Sequence, residues 1–319
     1  MREGQNPAKF VNRVAKPERV TVAVLTYIPF ESGFYAQALD VLKTCLGSIW
    51  ENTKLPYDLL VFDNGRGDET VSYLLDAYRL GSIQYLLLSE TNLGKGGAWN
   101  MIINACPGEI LAYTDSDALF AKGWLMETVK ILEHYPNVGM VTSRPFRTPP
   151  EFYSSTLQWA KEDPDAQLEI GQFIAWEDFR AFDMSLGQAE DEVRKRYGAT
   201  EDVRVNYRGM TAQMGGSHWQ FVGYRGTLRD FLPFDMDRPM GQVRELDRRV
   251  NEAGLLRLMT CDPLAMNMSN TLDEIPQEST IAKSPPNKRT WKWKLINITL
   301  IKRFLLGIYD RIFRWYFAN

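Results

Sequence analysis

EILAYTDSDALF, residues 109–120, begins as an apolar run and then sets Asp115 and Asp117 on either side of Ser116. Two carboxylates that close repel each other, and a core strand gains nothing from them unless something positively charged is meant to sit there. The stretch therefore reads as a buried strand whose carboxyl end opens on a charged rim. Moving outward, the same rhythm repeats. VTVAVLT (20–26), YDLLVFDNG (57–65), SIQYLLLS (82–89) and NVGMVTS (137–143) are continuously apolar strands. Between them, helices are predicted over 34–53, 68–78 (with Asp68 as its N-cap), 98–106 and 122–135. Strands that are apolar throughout and alternate with helices form a mostly parallel sheet covered on both faces. In such α/β folds ligands bind beyond the carboxyl ends of the strands.

After Pro145 the rhythm breaks. Residues 147–216 carry Pro149-Pro150, an acidic amphipathic stretch and few strand signals, and read as a helical insertion or lid. GSHWQFVGYRG (216–226) returns to the sheet as a strand, GQVRELDRRVNEAG (241–254) is a helix closed by a glycine, and LLRLMT (255–260) is a further strand. The expected organisation is an N-terminal extension (1–19), a first half (20–146), a second half (147–275) containing the insertion, and a linker with a basic aromatic tail (276–319).

Composition narrows the function. The 319 residues are 45% hydrophobic and 24% charged, with 37 basic against 40 acidic side chains, so no overall basic surface points to nucleic acid. Cys45, Cys106 and Cys261 stand far apart and fit buried free thiols better than disulfides or a zinc site. The first residues lack the apolar core of a signal peptide, and no apolar run reaches the roughly 20 residues needed to span a bilayer. A cytoplasmic protein is expected.

Three rim segments carry chemistry. Asp115 and Asp117 can hold a hard divalent cation, Mg²⁺ or Mn²⁺, which takes one or two carboxylates and fills its shell with phosphate and water; a solvated turn or a helix cap is the plain alternative. Asp63, after LLVF, emerges at the same rim and can accept from the imide N–H of a uracil or thymine, or stabilise the Asn64-Gly65 turn. In NLGKGGAWN (92–100) the glycines permit a tight turn and Lys95 can meet a phosphate, or Asn92 simply caps a helix.

VTVAVLTY, VFDNGRGDET, NLGKGGAWN and ILAYTDSDALF, in this order and spacing, resemble the nucleotide-sugar-binding half of glycosyltransferase family 2, with its GT-A fold, over about residues 20 to 145. The resemblance implies a nucleotide-diphospho-sugar donor and a GT-A-like α/β sheet. It implies that Thr26 and Tyr27 lie beside the base and that Asp63 binds it. Asn92, Gly94 and Lys95 would line the nucleotide pocket, with Asp115 and Ser116 also at the donor. Asp115 and Asp117 would serve as metal ligands.

Sugar transfer also needs a base for the acceptor hydroxyl, and in inverting enzymes an Asp or Glu supplies it. Family members commonly draw it from a Glu-Asp pair opening a helix that later carries Arg and ends in Gly. Aligning Arg249 and Gly254 with that pattern puts Gln242-Val243 where the pair should be, which leaves Glu245 and Asp247 as the catalytic candidates, or as ion-pair partners of Arg248 and Arg249. His218, beside Trp219, lies where the acceptor pocket is expected; it reads as an acceptor contact or as a packed loop histidine. His134 reads as structural or exposed. Asn267 stands where a metal-binding histidine is expected.

From Lys288 onward eight Lys/Arg face the single acid Asp310. Residues 288–319 interleave these cations with aromatic and branched side chains at helical spacing. They read as a segment for an anionic membrane surface, or as a helix packed on the catalytic domain or a second subunit. Taken together, the sequence points to a metal-dependent glycosyltransferase acting on a glycan or lipid-linked acceptor. The competing readings are a non-catalytic binder of the same fold and a sugar nucleotidyltransferase, whose early Gly-rich signature residues 24–33 lack.

Overall fold

The computed structural model describes residues 14–65, 67–238 and 243–272, together with Ile308 and Arg311. The linker and nearly all of the basic tail therefore lie outside the described residues. The first half runs β1 (Val20–Thr26), α1 (Ala38–Asn52), β2 (Tyr57–Asp63), α2 (Asp68–Arg79), β3 (Tyr85–Leu88), α3 (Gly94–Ala105), β4 (Ile110–Asp115), β5 (Ala118–Phe120), α4 (Trp124–His134) and β6 (Val138–Thr142). The second runs α5 (Ser154–Glu162), β7 (Ala166–Gly171), α6 (Trp176–Ser185), α7 (Glu190–Ala199), β8 (Asp202–Tyr207), β9 (Met210–Met214), β10 (Gln220–Tyr224), α8 (Arg225–Arg229), α9 (Val243–Glu252), β11 (Leu256–Met259) and β12 (Ala265–Asn267).

Ten strands form one sheet in the order β3-β2-β1-β4-β10-β6-β11-β9-β8-β7, and β5 pairs separately with β12. Parallel pairing joins β3, β2, β1 and β4, and again β6 and β11. Strand β10 enters antiparallel between β4 and β6, and β9 and β7 also run against the majority. The sheet is thus mixed and mostly parallel, as the sequence rhythm predicts.

Alternation along β1 explains the layering. Val20, Val22 and Val24 join the core under α1, α2 and α4, with Leu42, Leu46, Ile49, Leu74 and Trp124. Ala23 and Leu25 point to the other face and pack with Trp99 and Ile102 of α3 and Leu246 and Val250 of α9. Successive side chains leave a strand on opposite sides, so a strand apolar at every position needs cover on both. Fully burying one such side chain stabilises the fold by about 1.5–3 kcal/mol. The central strands are therefore firmly held, and their carboxyl ends make a rigid platform.

The structure departs from the sequence reading in several places. Helix α2 starts at Asp68, but Gly67 is its N-cap and no side chain caps it; Asp68 acts instead as a first-turn anion near the positive end of the helix. The glycine run after Asn92 is not a loop before a later helix. Helix α3 begins at Gly94, and a Cβ on Gly97 would lie 2.7 Å from the Leu93 Cβ and 2.9 Å from Met236, so that glycine serves close packing. Stretch 147–216 contains helices α5, α6 and α7, as expected, and also β7, β8 and β9, which extend the main sheet and which the reading of few strand signals missed. Strands β5 and β12 were likewise not foreseen. The three cysteines are free, with Cys45 and Cys106 buried.

Candidate active site

Registers set the rim. Thr26 pairs with Asp63 and Leu25 with Asp115, so the ends of β2 and β4 flank the end of β1 at one level. Neighbouring strands lie about 4.8 Å apart, which separates the backbones at Asp63 and Asp115 by about 10 Å. On the far side of β4, the Trp219 carbonyl accepts the Asp115 N–H at 2.8 Å, so the residues just before β10 border the same rim. From the loop after β12, the Met268 N–H donates to the Asp117 carbonyl at 2.7 Å.

Asp63 is 1% exposed, and neither carboxylate oxygen has a hydrogen-bond partner. Burial pushes it up to about 7, and the nearby Gly65 N–H offsets this only in part. Thr26, its register partner, is buried with an unpartnered Oγ1. Tyr27 is 36% exposed, and its ring lies where Gly65 leaves room: a Cβ there would sit 2.5 Å from the ring. Asn64 clamps the next segment. Its Oδ1 accepts the Leu93 N–H at 2.9 Å, and its Nδ2 donates to Asn92 Oδ1 at 3.0 Å. Asn92 in turn accepts the Gly94 N–H at 2.8 Å, so its side chain is committed to starting α3.

The two aspartates of the opening stretch behave differently. Asp115 is fully engaged: Lys95 Nζ donates to Oδ2 at 2.6 Å and the Tyr113 hydroxyl to Oδ1 at 2.6 Å. Lys95 is buried and also lies over the rings of Trp99 and Tyr113. The positive charge that the sequence demanded is therefore partly supplied by the chain itself. Asp117 receives only Asn267 Nδ2, at 3.3 Å on Oδ2, while Oδ1 is shut off from water without a partner. Burial first, and then repulsion from Asp115, push Asp117 up to about 7, against the pull of Lys95 and Asn267. Ser116 lies in the turn between them.

No group of three or more His, Cys, Asp or Glu gathers as a metal cage among the described residues. A hard cation held with substrate phosphates needs fewer protein ligands. Asp117 Oδ1 fits that role, whereas both oxygens of Asp115 are occupied in this arrangement. Asn267 presents its amide nitrogen to Asp117 and holds that carboxylate in place. Other buried polar atoms without a partner include Ser143 Oγ and Arg144 Nε after β6, and Trp219 Nε1 and Gln220 Nε2 at β10.

The acceptor-side candidates separate clearly. Glu245 is held by Arg248 at 2.6 Å and Arg249 at 2.8 Å, which bring it down to about 2. Asp247, two residues on, is buried between His218 and Arg257. His218 Nδ1 meets Asp247 Oδ2 at 2.9 Å, and Arg257 donates to Oδ1. Trp219 is buried, so its ring is packed, and its Nε1 is enclosed without a partner. His134 is structural, its Nε2 donating to the Tyr207 carbonyl at 2.7 Å. Gln242 lies outside the described residues. Arg257, 0% exposed, is the residue the sequence reading missed; its signal was a lone charge inside the apolar run LLRLMT.

Residues 34–186 match the family model described as Glycosyl transferase family 2, which bears out the likeness drawn from the sequence. Asp63, Asn92, Gly94, Lys95, Asp115, Ser116 and Asp117 fall within the matched segment; Thr26, Tyr27, His218, Trp219, Glu245 and Asp247 fall outside it. No curated protein matches the chain in sequence. Among solved structures, it is similar to a mannosyltransferase, PcManGT from Pyrobaculum calidifontis, in complex with GDP-Man and Mn²⁺ (20% identity, TM-score 0.43, 78% of this chain and 58% of that one). It is similar also to residues 1–349 of TarS from S. aureus (13%, 0.44, 78% of this chain and 59% of that fragment). A third is GalNAc-T7 with UDP, GalNAc and Mn²⁺ (15%, 0.47, 79% and 44%). The chain thus spans well under two thirds of the length of each of these proteins.

Proposed function

We propose that this chain, whose residues 34–186 match the family 2 glycosyltransferases, moves a sugar from a nucleotide-diphosphate donor to a hydroxyl acceptor with inversion at the anomeric carbon. One observation carries the reading. The unpartnered buried oxygens belong to Asp63, at the end of β2, and to Asp117, in the turn just past β4; both strands flank β1 and both residues fall within the family match.

In this reading the base lies beside Tyr27, with its ring N–H donated to Asp63. Lys95, released in part from Asp115, meets the diphosphate. Asp117, through Oδ1, would hold Mn²⁺ or Mg²⁺ together with the donor. When bound, the cation neutralises charge on the departing diphosphate. Asp115, braced by Tyr113, faces the ribose. The acceptor is a glycan or lipid-linked hydroxyl entering from the side of His218 and Trp219. For the tail at 288–319 the proposed partner is an anionic membrane surface; equal flotation of the full chain and residues 1–287 with anionic liposomes contradicts that part.

The test is release of nucleoside diphosphate from UDP-, GDP-, dTDP- and CDP-sugars in the presence of Mn²⁺. One donor is expected to turn over, faster with a hydroxyl acceptor. No turnover from any, alongside retained donor binding, favours the second reading, a donor-binding protein without transfer. The engagement of Glu245 by two arginines is the observation on that side.

A further inference from the structure

The group that could take the acceptor's proton stands at the end of a connected row rather than as a lone carboxylate. Arg257 is fully buried, donating to the carbonyls of Phe152 and Gly216 and to Asp247 Oδ1. Asp247 uses its other oxygen on His218 Nδ1, at 2.9 Å. A carboxylate only accepts, so Nδ1 carries the hydrogen, and in the neutral ring this leaves Nε2 as a lone pair. The His218 side chain is 26% exposed, while Asp247 behind it is 8% exposed. His218 thus reaches solvent and Asp247 does not.

Position adds to this. Gln220 pairs with Thr114, and the Asp115 N–H bonds to the Trp219 carbonyl, so His218 is the next residue outward, alongside the Asp115–Asp117 turn. The adjacent Ser217 N–H is pinned to Thr142 Oγ1 at 3.0 Å, which fixes the backbone there.

We propose that His218 is the general base of the transfer, with Asp247 and Arg257 as positioning residues; this rests on the glycosyltransferase reading above. The acceptor oxygen forms its bond to the anomeric carbon as the bond from that carbon to the donor diphosphate breaks, its electron pair leaving with the diphosphate. The acceptor proton passes to Nε2. The resulting imidazolium is balanced by the Asp247 carboxylate, which keeps the tautomer and aim of the ring, and Arg257 keeps the aim of the carboxylate.

The chain has two histidines, His134 and His218, so ¹⁵N NMR can read each ring directly. In its neutral form His218 is expected as the Nδ1–H tautomer, changing in Asp247→Asn; an Nε2–H neutral ring in the wild type overturns the proposal without touching the transferase reading. Kinetically, His218→Ala is expected to lose at least 100-fold in kcat with donor thermal shift unchanged, and to regain part of it with added imidazole. Loss confined to acceptor KM, or activity within fivefold of wild type, overturns the role of base. Failure of wild type and variant alike to bind any sugar nucleotide counts against both readings.

Discussion

Asp63 is a carboxyl buried where no side chain answers its charge, and that has a measurable consequence. Its folded value near 7 lies above an ordinary value near 3.8, so the folded chain holds that proton more tightly than the unfolded one. Stability from this group is greatest below about pH 4 and falls as pH rises through 7. Asp63→Asn removes the ionised form and is expected to stabilise the protein at pH 8 by about 2 kcal/mol, discounted from three pKa steps of about 1.4 each for local relaxation. The gain should vanish near pH 4, while donor affinity falls at both. Urea melts at the two pH values check this; equal stability of both proteins at pH 8 contradicts the burial argument. The residue was legible in the sequence because a charge ending an apolar run has few structural uses. Arg257 has the same signature in LLRLMT and was passed over, since a charge inside a strand gives no hint of the partner that distance in sequence hides.

On helix α9, two acids separated by one residue do opposite work. Glu245 pairs with two arginines at a partly exposed face, where such pairs contribute about 0–1 kcal/mol. Asp247 points inward to Arg257, and removing it strands a buried cation. Glu245→Ala is therefore expected to cost under about 1 kcal/mol and Asp247→Ala about 3–5 kcal/mol. Denaturant midpoints decide between them, and equal losses contradict the buried pairing. Spacing alone could not choose between these acids, because the choice depends on which way the helix turns against β11. The same limit hid β7, whose side chains are half-exposed in an edge position, so that its run AQLEIG lacks the apolar continuity that made β1 and β4 plain. The start of α3 was misjudged for a different reason: glycines normally mark turns, but here Gly97 is small because Leu93 and Met236 leave no room.

At the scale of the whole chain, a sheet held from both sides brings distant segments to one edge. Asp63, Asp115, His218 and Asn267 come from four separate stretches, and only the first two announce themselves by their position after an apolar run. The fold brings Asp63, Asp115, Asp117 and Lys95 to one rim, where the proposed function has Asp117, a cation and Lys95 grip a diphosphate. A thermal-shift panel of UDP-, GDP-, dTDP- and CDP-sugars, each with and without Mn²⁺, on wild type and Asp117→Ala puts that grip to the test. One sugar nucleotide should stabilise the wild type in the presence of Mn²⁺ by about 2.7 kcal/mol at a hundredfold excess over its dissociation constant, with most of the Mn²⁺-dependent part lost in Asp117→Ala. No stabilisation of the wild type by any of them, or full retention of the Mn²⁺ effect without Asp117, would contradict it.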